Sequence, residues 1–125
     1  MKLHADRPDQ FSITAYGPGW IAINGEQHTG AVLLSATAGV RAWSCARFED
    51  LADGHFDEVL ALDTAMPELV LFGSGARLRF ARPALLRPMI ERRIGVETMD
   101  TAAACRTFNI LAAEGRRVAA ALFIA

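Results

Sequence analysis

Two apolar runs, residues 69–72 (Leu69-Val70-Leu71-Phe72) and residues 118–123, have no polar residue in them and read as strands buried on both faces. Such strands need a layer above and below, and the segments between them supply candidates. Residues 83–94 place Leu85, Leu86, Met89, Ile90 and Ile94 at helical spacing, with Pro83 in the first turn and Pro88 set to kink the helix. Gly95 closes that helix, residues 96–99 form a short strand, and Asp100 or Thr101 caps a second helix running to about Glu114. Three strands with two intervening helices predict a βαβαβ unit with right-handed crossovers and a parallel core.

The pattern upstream is antiparallel. Residues 11–16 alternate apolar and polar until Gly17-Pro18-Gly19, and residues 20–23 run into Asn24-Gly25, the dipeptide best suited to a type I′ hairpin. Residues 26–34 predict the returning strand of a β-meander, and residues 40–43 a further short strand. Around residues 55–62 the spacing turns helical, with Asp53 placed to cap. The expected architecture is a single α/β domain over 1–125, with residues 1–10 an extended tail. Its antiparallel meander joins the βαβαβ unit in a mixed central sheet with helices packed on it. A chain of 125 residues holds one such core and not two.

Composition narrows the class. With 52% hydrophobic and 22% charged residues the chain is not a disordered one. Cys45 and Cys105 lack CxxC spacing, which argues against a disulfide scaffold or a zinc site and fits a reducing cytoplasm. The longest apolar run, residues 118–125, falls well short of the ~18 residues of a membrane span. The charged start, with Lys2, His4, Asp6 and Arg7, does not read as a secretory signal. The net charge of −1 hides a split, −6 over residues 1–68 and +5 over residues 69–125. The near-neutral total, and the lack of stacking aromatics among the arginines, argue against a nucleic-acid partner.

No catalytic set, metal site or cofactor motif emerges. His4, His28 and His55 are scattered, Ser74 lacks a GxSxG elbow, and Cys105 lies on a packing face. Two constellations stand out instead. The loop Gly73-Ser74-Gly75 follows a buried strand, and Thr98, Asp100 and Thr101 fall on the same carboxyl edge of the sheet, where open α/β proteins bind ligands. Read as one crevice, they suit an anion or small metabolite held by main-chain N–H groups; read blandly, Gly-Ser-Gly is a tight turn. The helix from residue 101 to 114 is apolar nearly all round. Ala104, Cys105, Phe108, Leu111 and Ala112 make one face, while Ala103, Arg106, Asn109, Ile110 and Ala113 occupy the other. Either that second side is buried within the fold, or it is an interaction surface for another protein or a second copy.

The blocks Glu97-Thr98-Met99-Asp100-Thr101, Arg106-Thr107-Phe108-Asn109-Ile110-Leu111 and Glu114-Gly115-Arg116-Arg117-Val118 resemble a known family. Ile23-Asn24-Gly25, Val32-Leu33-Leu34, Trp43 and Leu71-Phe72-Gly73-Ser74-Gly75 match its earlier blocks, so the resemblance spans roughly residues 11–125. It is the MTH-domain family of small uncharacterised proteins, which includes the adipogenesis-associated MTH-domain protein and the mitochondrial respiratory complex I assembly factor 3. Where relatives often carry GTG and a tyrosine before the asparagine, this chain has Ser74 and Phe108. The resemblance implies a compact α/β fold with a mixed sheet, and no established catalytic residue or cofactor. For the mitochondrial member it implies assembly of the respiratory NADH dehydrogenase through contacts with other assembly proteins. The resulting expectation is a non-enzymatic interaction or assembly protein. The alternative is a small binding domain or enzyme using the loops at 73–75 and 98–101.

Overall fold

The computed structural model describes residues 10–125; the expected tail, apart from Gln10, lies outside the described residues. A small antiparallel sheet comes first, in the order β1 (Ile13–Gly17), β2 (Trp20–Ile23) and β3 (Glu26–His28). Its second hairpin turns at Asn24 and Gly25, whose φ values of 48° and 84° are the positive pair a type I′ turn requires.

The chain then leaves this sheet, and the expected single strand over residues 26–34 divides in two. Glu26-Gln27-His28 stays on the small sheet, whereas β4 (Val32–Ser35) enters a second, five-stranded sheet and pairs with β5 (Gly39–Ala42). The physical reason is burial on both faces: Val32, Leu33 and Leu34 are 3%, 0% and 0% exposed, which the solvated edge position of β3 does not provide. The remaining strands are β6 (Leu69–Gly73), β7 (Gly95–Met99) and β8 (Val118–Leu122), and the order across the sheet is β5-β4-β8-β6-β7. β6 lies parallel to both β7 and β8, giving the expected parallel core, while β4 runs antiparallel to β8 and makes the sheet mixed.

Side chains alternate across this sheet with period two. Leu33, Val70, Phe72, Ala119, Ala121 and Phe123 point to one face, where Trp43, Phe56, Val59 and Met89 cover them. Leu34, Leu71, Ala120 and Leu122 point to the other, under the long helix and the isoleucines of the small sheet.

The helices are shorter than the spacing predicts, with one exception. α1 (Asp57–Leu60) is a single turn whose N-cap position is Phe56, without a side-chain cap. Asp53 therefore does not cap it; His55 organises the preceding turn by accepting the Ala52 N–H at its Nδ1, 3.0 Å away. The helix expected over 83–94 is a 3-10 turn, Pro83–Leu86, followed by α2 (Arg87–Glu91). Pro88 has no N–H to donate and fits only in a first turn, so the helix restarts just ahead of it rather than kinking through it. α3 (Thr101–Ala113) matches expectation. Asp100 caps it by accepting the Ala103 N–H at 2.9 Å, and Gly115, at φ 82°, closes it with Gly115 N–H to Ala112 O and Arg116 N–H to Leu111 O.

The acidic and basic halves of the sequence interlock. Arg79 pairs with Glu49 at 2.9 Å and Arg116 with Glu68 at 2.5 Å, each bond joining the two halves.

Candidate functional site

At the carboxyl edge of the parallel strands, β6 ends in Gly73 and the chain turns through Ser74 and Gly75. The loop that follows β7 lies directly against it. Ser74 N–H donates to Met99 O at 2.9 Å, Gly75 N–H donates to the Thr101 hydroxyl at 2.9 Å, and Thr101 N–H returns to Gly75 O at 2.9 Å. Thr101 Oγ1 donates in turn to Phe123 O at 2.6 Å, and Phe123 N–H to Gly73 O at 3.0 Å. The fully buried Ser74 hydroxyl donates to Arg77 O at 2.7 Å and accepts the Arg79 N–H at 3.0 Å. The structure brings the two loops together, and the N–H groups of Ser74, Gly75 and Thr101 donate to protein acceptors. Asp100 is likewise occupied as the cap of α3, and Thr98 sits half-buried on β7 opposite Phe72.

Glycine at 73 answers to packing. A Cβ there would lie 2.8 Å from Leu122 Cδ2, 3.0 Å from Thr101 Oγ1 and 3.2 Å from Thr101 Cα. Gly75 answers to backbone conformation, with φ 106°. Chemically this edge is a stitch that ties β6, β7, β8 and α3 into one unit.

The second side of α3 is covered by the small sheet over part of its length. Asn109 acts as a surrogate strand neighbour: its Oδ1 accepts the Ile13 N–H at 2.9 Å and its Nδ2 donates to Ile13 O at 2.7 Å. One turn earlier, Arg106 donates to the Tyr16 hydroxyl at 3.0 Å. Ala103 is half-buried, whereas Ile110, 59% exposed, and Ala113 face outward. Of the five residues singled out on this side, Arg106 and Asn109 bind the protein's own first strand, and Ile110 with Ala113 makes the open remainder.

Nucleophile chemistry is disfavoured at both cysteines. Burial pushes the Cys105 thiol up to about 11 and raises that of Cys45 as well, so both are protonated at neutral pH. Both are free thiols. Among the described residues no group of three or more His, Cys, Asp or Glu side chains stands close enough to hold a metal ion.

Two features lie outside these sequence-based candidates. A cavity of about 230 Å³ opens between Ser35, Thr37, Val59, Leu62, Asp63 and Arg117; Thr37 donates to Asp63 at 2.8 Å and holds that carboxyl below its usual range. Residues 76–82 cross the surface with Leu78 52% and Phe80 70% exposed. The arginine alternation of Arg77 and Arg79 marks this stretch in the sequence, and Phe80 stands outside the core.

Residues 13–123 match a family described as proteins of unknown function, DUF498/DUF598. The chain belongs to this family. Among DUF498 relatives, the NADH dehydrogenase [ubiquinone] 1 alpha subcomplex assembly factor 3 of Bos taurus is 33% identical over 120 residues, 96% of this chain. The chain spans 64% of that relative's length. Solved structures share the fold. A crystal structure from Bordetella parapertussis superposes with a TM-score of 0.85 at 38% identity, covering 91% of this chain and 95% of that one. A solution structure from Bordetella pertussis, described as an Mth938-like domain, gives 0.83 at 33% identity, covering 98% and 92%. The resemblance to the MTH-domain family is thereby established, together with its mixed α/β fold. No helix among the described residues of this DUF498 domain is long and apolar enough to cross a membrane.

Proposed function

We propose that this DUF498 domain is a protein-binding assembly factor acting in the biogenesis of respiratory NADH dehydrogenase. The observation that carries the reading is the 33% identity to a named assembly factor of that enzyme across 96% of this chain. Two features of the molecule support a role through contact rather than chemistry. The Gly73–Gly75 and Thr98–Thr101 loops use their donors on one another, and both thiols are held protonated by burial. Its partners on this reading are other proteins, and its compartment is the reducing cytoplasm, which suits two buried free thiols.

The test is deletion of the gene in its native host, followed by native-gel quantification of assembled NADH dehydrogenase and of its activity in membranes. Loss of assembled enzyme, restored by the wild-type chain, is the expected result. Unchanged amounts of assembled enzyme would overturn the reading.

A further inference from the structure

The segment from residue 76 to 82 combines three properties that a finished protein surface seldom leaves together. First, its side chains alternate from residue 78 to 82. Leu78, Phe80 and Arg82 point outward, while Arg79 turns inward over the Phe48 ring, 4.3 Å from its centroid, and Ala81 is buried. This is the burial pattern of a strand on the face of a core, although no strand pairs with it. Second, among the described residues no hydrogen bond engages the main-chain N–H or C=O of Leu78 or Phe80. Third, Phe80 stands at the rim of an open groove of about 410 Å³ whose apolar lining comes from Phe48, Leu51, Ala81 and Leu85.

Charge selects among the occupants of such a surface. Arg79 is matched by Glu49, and the nearby Asp50 is taken by Arg47 at 3.2 Å. Arg77 and Arg82 are exposed and have no acidic partner within salt-bridge distance among the described residues. An occupant must therefore bring apolar side chains for Leu78, Phe80 and the groove, carboxylates for Arg77 and Arg82, and main-chain groups for the unpaired backbone. We infer that residues 76–82 are a docking edge for an extended acidic segment of a partner protein, with an aliphatic or aromatic anchor seated in the groove beside Phe80. Binding by strand addition of this kind takes affinity from main-chain hydrogen bonds and specificity from alternate side chains. An anionic lipid surface would satisfy the arginines and the exposed apolar groups but leave the main-chain groups without partners, which favours the peptide. The inference deepens the assembly reading by naming a surface and a partner chemistry, and rests on that reading only in taking the partner to be a protein.

A random-peptide display library selected on the full chain tests it. The expected peptides are rich in Asp and Glu around a Leu, Ile or Phe anchor. Their affinity for Phe80→Ser or Leu78→Ser falls about tenfold or more, and it falls further with Arg77→Glu combined with Arg82→Glu or with added salt. All four side chains are exposed, so the thermal midpoint of the variants stays at the wild-type value. Folded variants that bind the selected peptides as tightly as wild type would overturn the inference, as would selected peptides without acidic enrichment. Sedimentation with phosphatidylglycerol vesicles that is lost in Phe80→Ser, alongside no selectable peptide, would overturn it in favour of a membrane surface. Peptide binding as described, with NADH dehydrogenase assembly intact in the deletion strain, would uphold the docking edge while removing the assembly reading.

Discussion

One face of the five-stranded sheet is roofed by regular structure and the other by wandering chain. Over the first, α3 lies on Leu34, Leu71, Ala120 and Leu122, and is itself backed by Ile13, Ile21 and Ile23 of the small sheet. Its Asn109 and Arg106 side chains bind β1. Over the second, single helical turns and loops rest on a cluster of aromatic rings. Trp43 stacks on Phe123 at 4.7 Å, Phe72 meets Phe56 at 5.3 Å and Phe123 at 5.7 Å edge-on, and the Trp43 Nε1–H donates to His55 O at 2.9 Å. Large rings fill space that short elements cannot line evenly, so little regular backbone is needed there. The regular face is closed in part by bonds from α3 to the small sheet. The irregular face leaves Leu78 and Phe80 outside, and with them a surface available to another chain.

The largest expected effect compares the two faces directly. Phe72→Ala and Phe108→Ala each remove a fully buried ring, costing about 3–5 kcal/mol in urea unfolding. Phe72→Ala is the costlier because it also removes edge-on contacts with neighbouring rings, worth about 0.5–1.5 kcal/mol per pair. The reverse order would show that the helical face carries the stability. Next comes Thr101→Val, which orphans the Gly75 N–H and the Phe123 carbonyl at about 1–3 kcal/mol for each group; a near-wild-type midpoint would mean water replaces the hydroxyl. Asn109→Ala is expected to cost about 1–3 kcal/mol and to speed hydrogen exchange at the Ile13 amide selectively. Uniform exchange across the chain would show that β1 does not depend on that side chain.

Smaller still is a pH effect. Arg116 holds the Glu68 carboxyl below its usual range, so this pair adds stability at pH values above the ordinary carboxylate range and loses it as pH falls through the lowered value. Glu68→Gln should flatten the acid limb of the stability profile slightly, and an unchanged limb would show that the exposed pair contributes nothing. Ile110→Ser, on the outer side of α3, should shift stability by no more than about 0.5 kcal/mol. A larger loss would reveal that this side is packed in solution.

The parallel unit is legible because β6 and β8 are apolar on both faces and its last helix carries both caps, Asp100 and Gly115, in sequence. The same signal was present in Val32-Leu33-Leu34, whose uninterrupted apolar run marks a doubly buried strand. The break at Thr29-Gly30 lies inside the stretch that returns from Asn24-Gly25, so the hairpin signal alone joins the two strands it separates. Residues 83–94 looked helical because apolar spacing does not register the missing N–H of Pro88 or the positive φ of 58° at Arg93. At the candidate sites, residue types located both loops at one edge, but which donors remain open depends on bonds between residues such as Gly75 and Thr101, 26 positions apart. The second side of α3 posed the same difficulty, since the partner of Asn109 lies 96 residues earlier.

β8 stands in the middle of the five-stranded sheet, between β4 and β6, yet follows every other described strand in chain order. While the chain is emerging from the ribosome, β4–β5 and β6–β7 exist at most as two separate pairs, each with an open inner edge able to capture another strand. Insertion of residues 118–122 joins them in one step, as Leu33 and Leu71 acquire Ala121 and Ala120 as neighbours. The five-stranded sheet of such a nascent chain cannot close piece by piece, so its exposure to aggregation and to chaperones lasts until translation has passed β8.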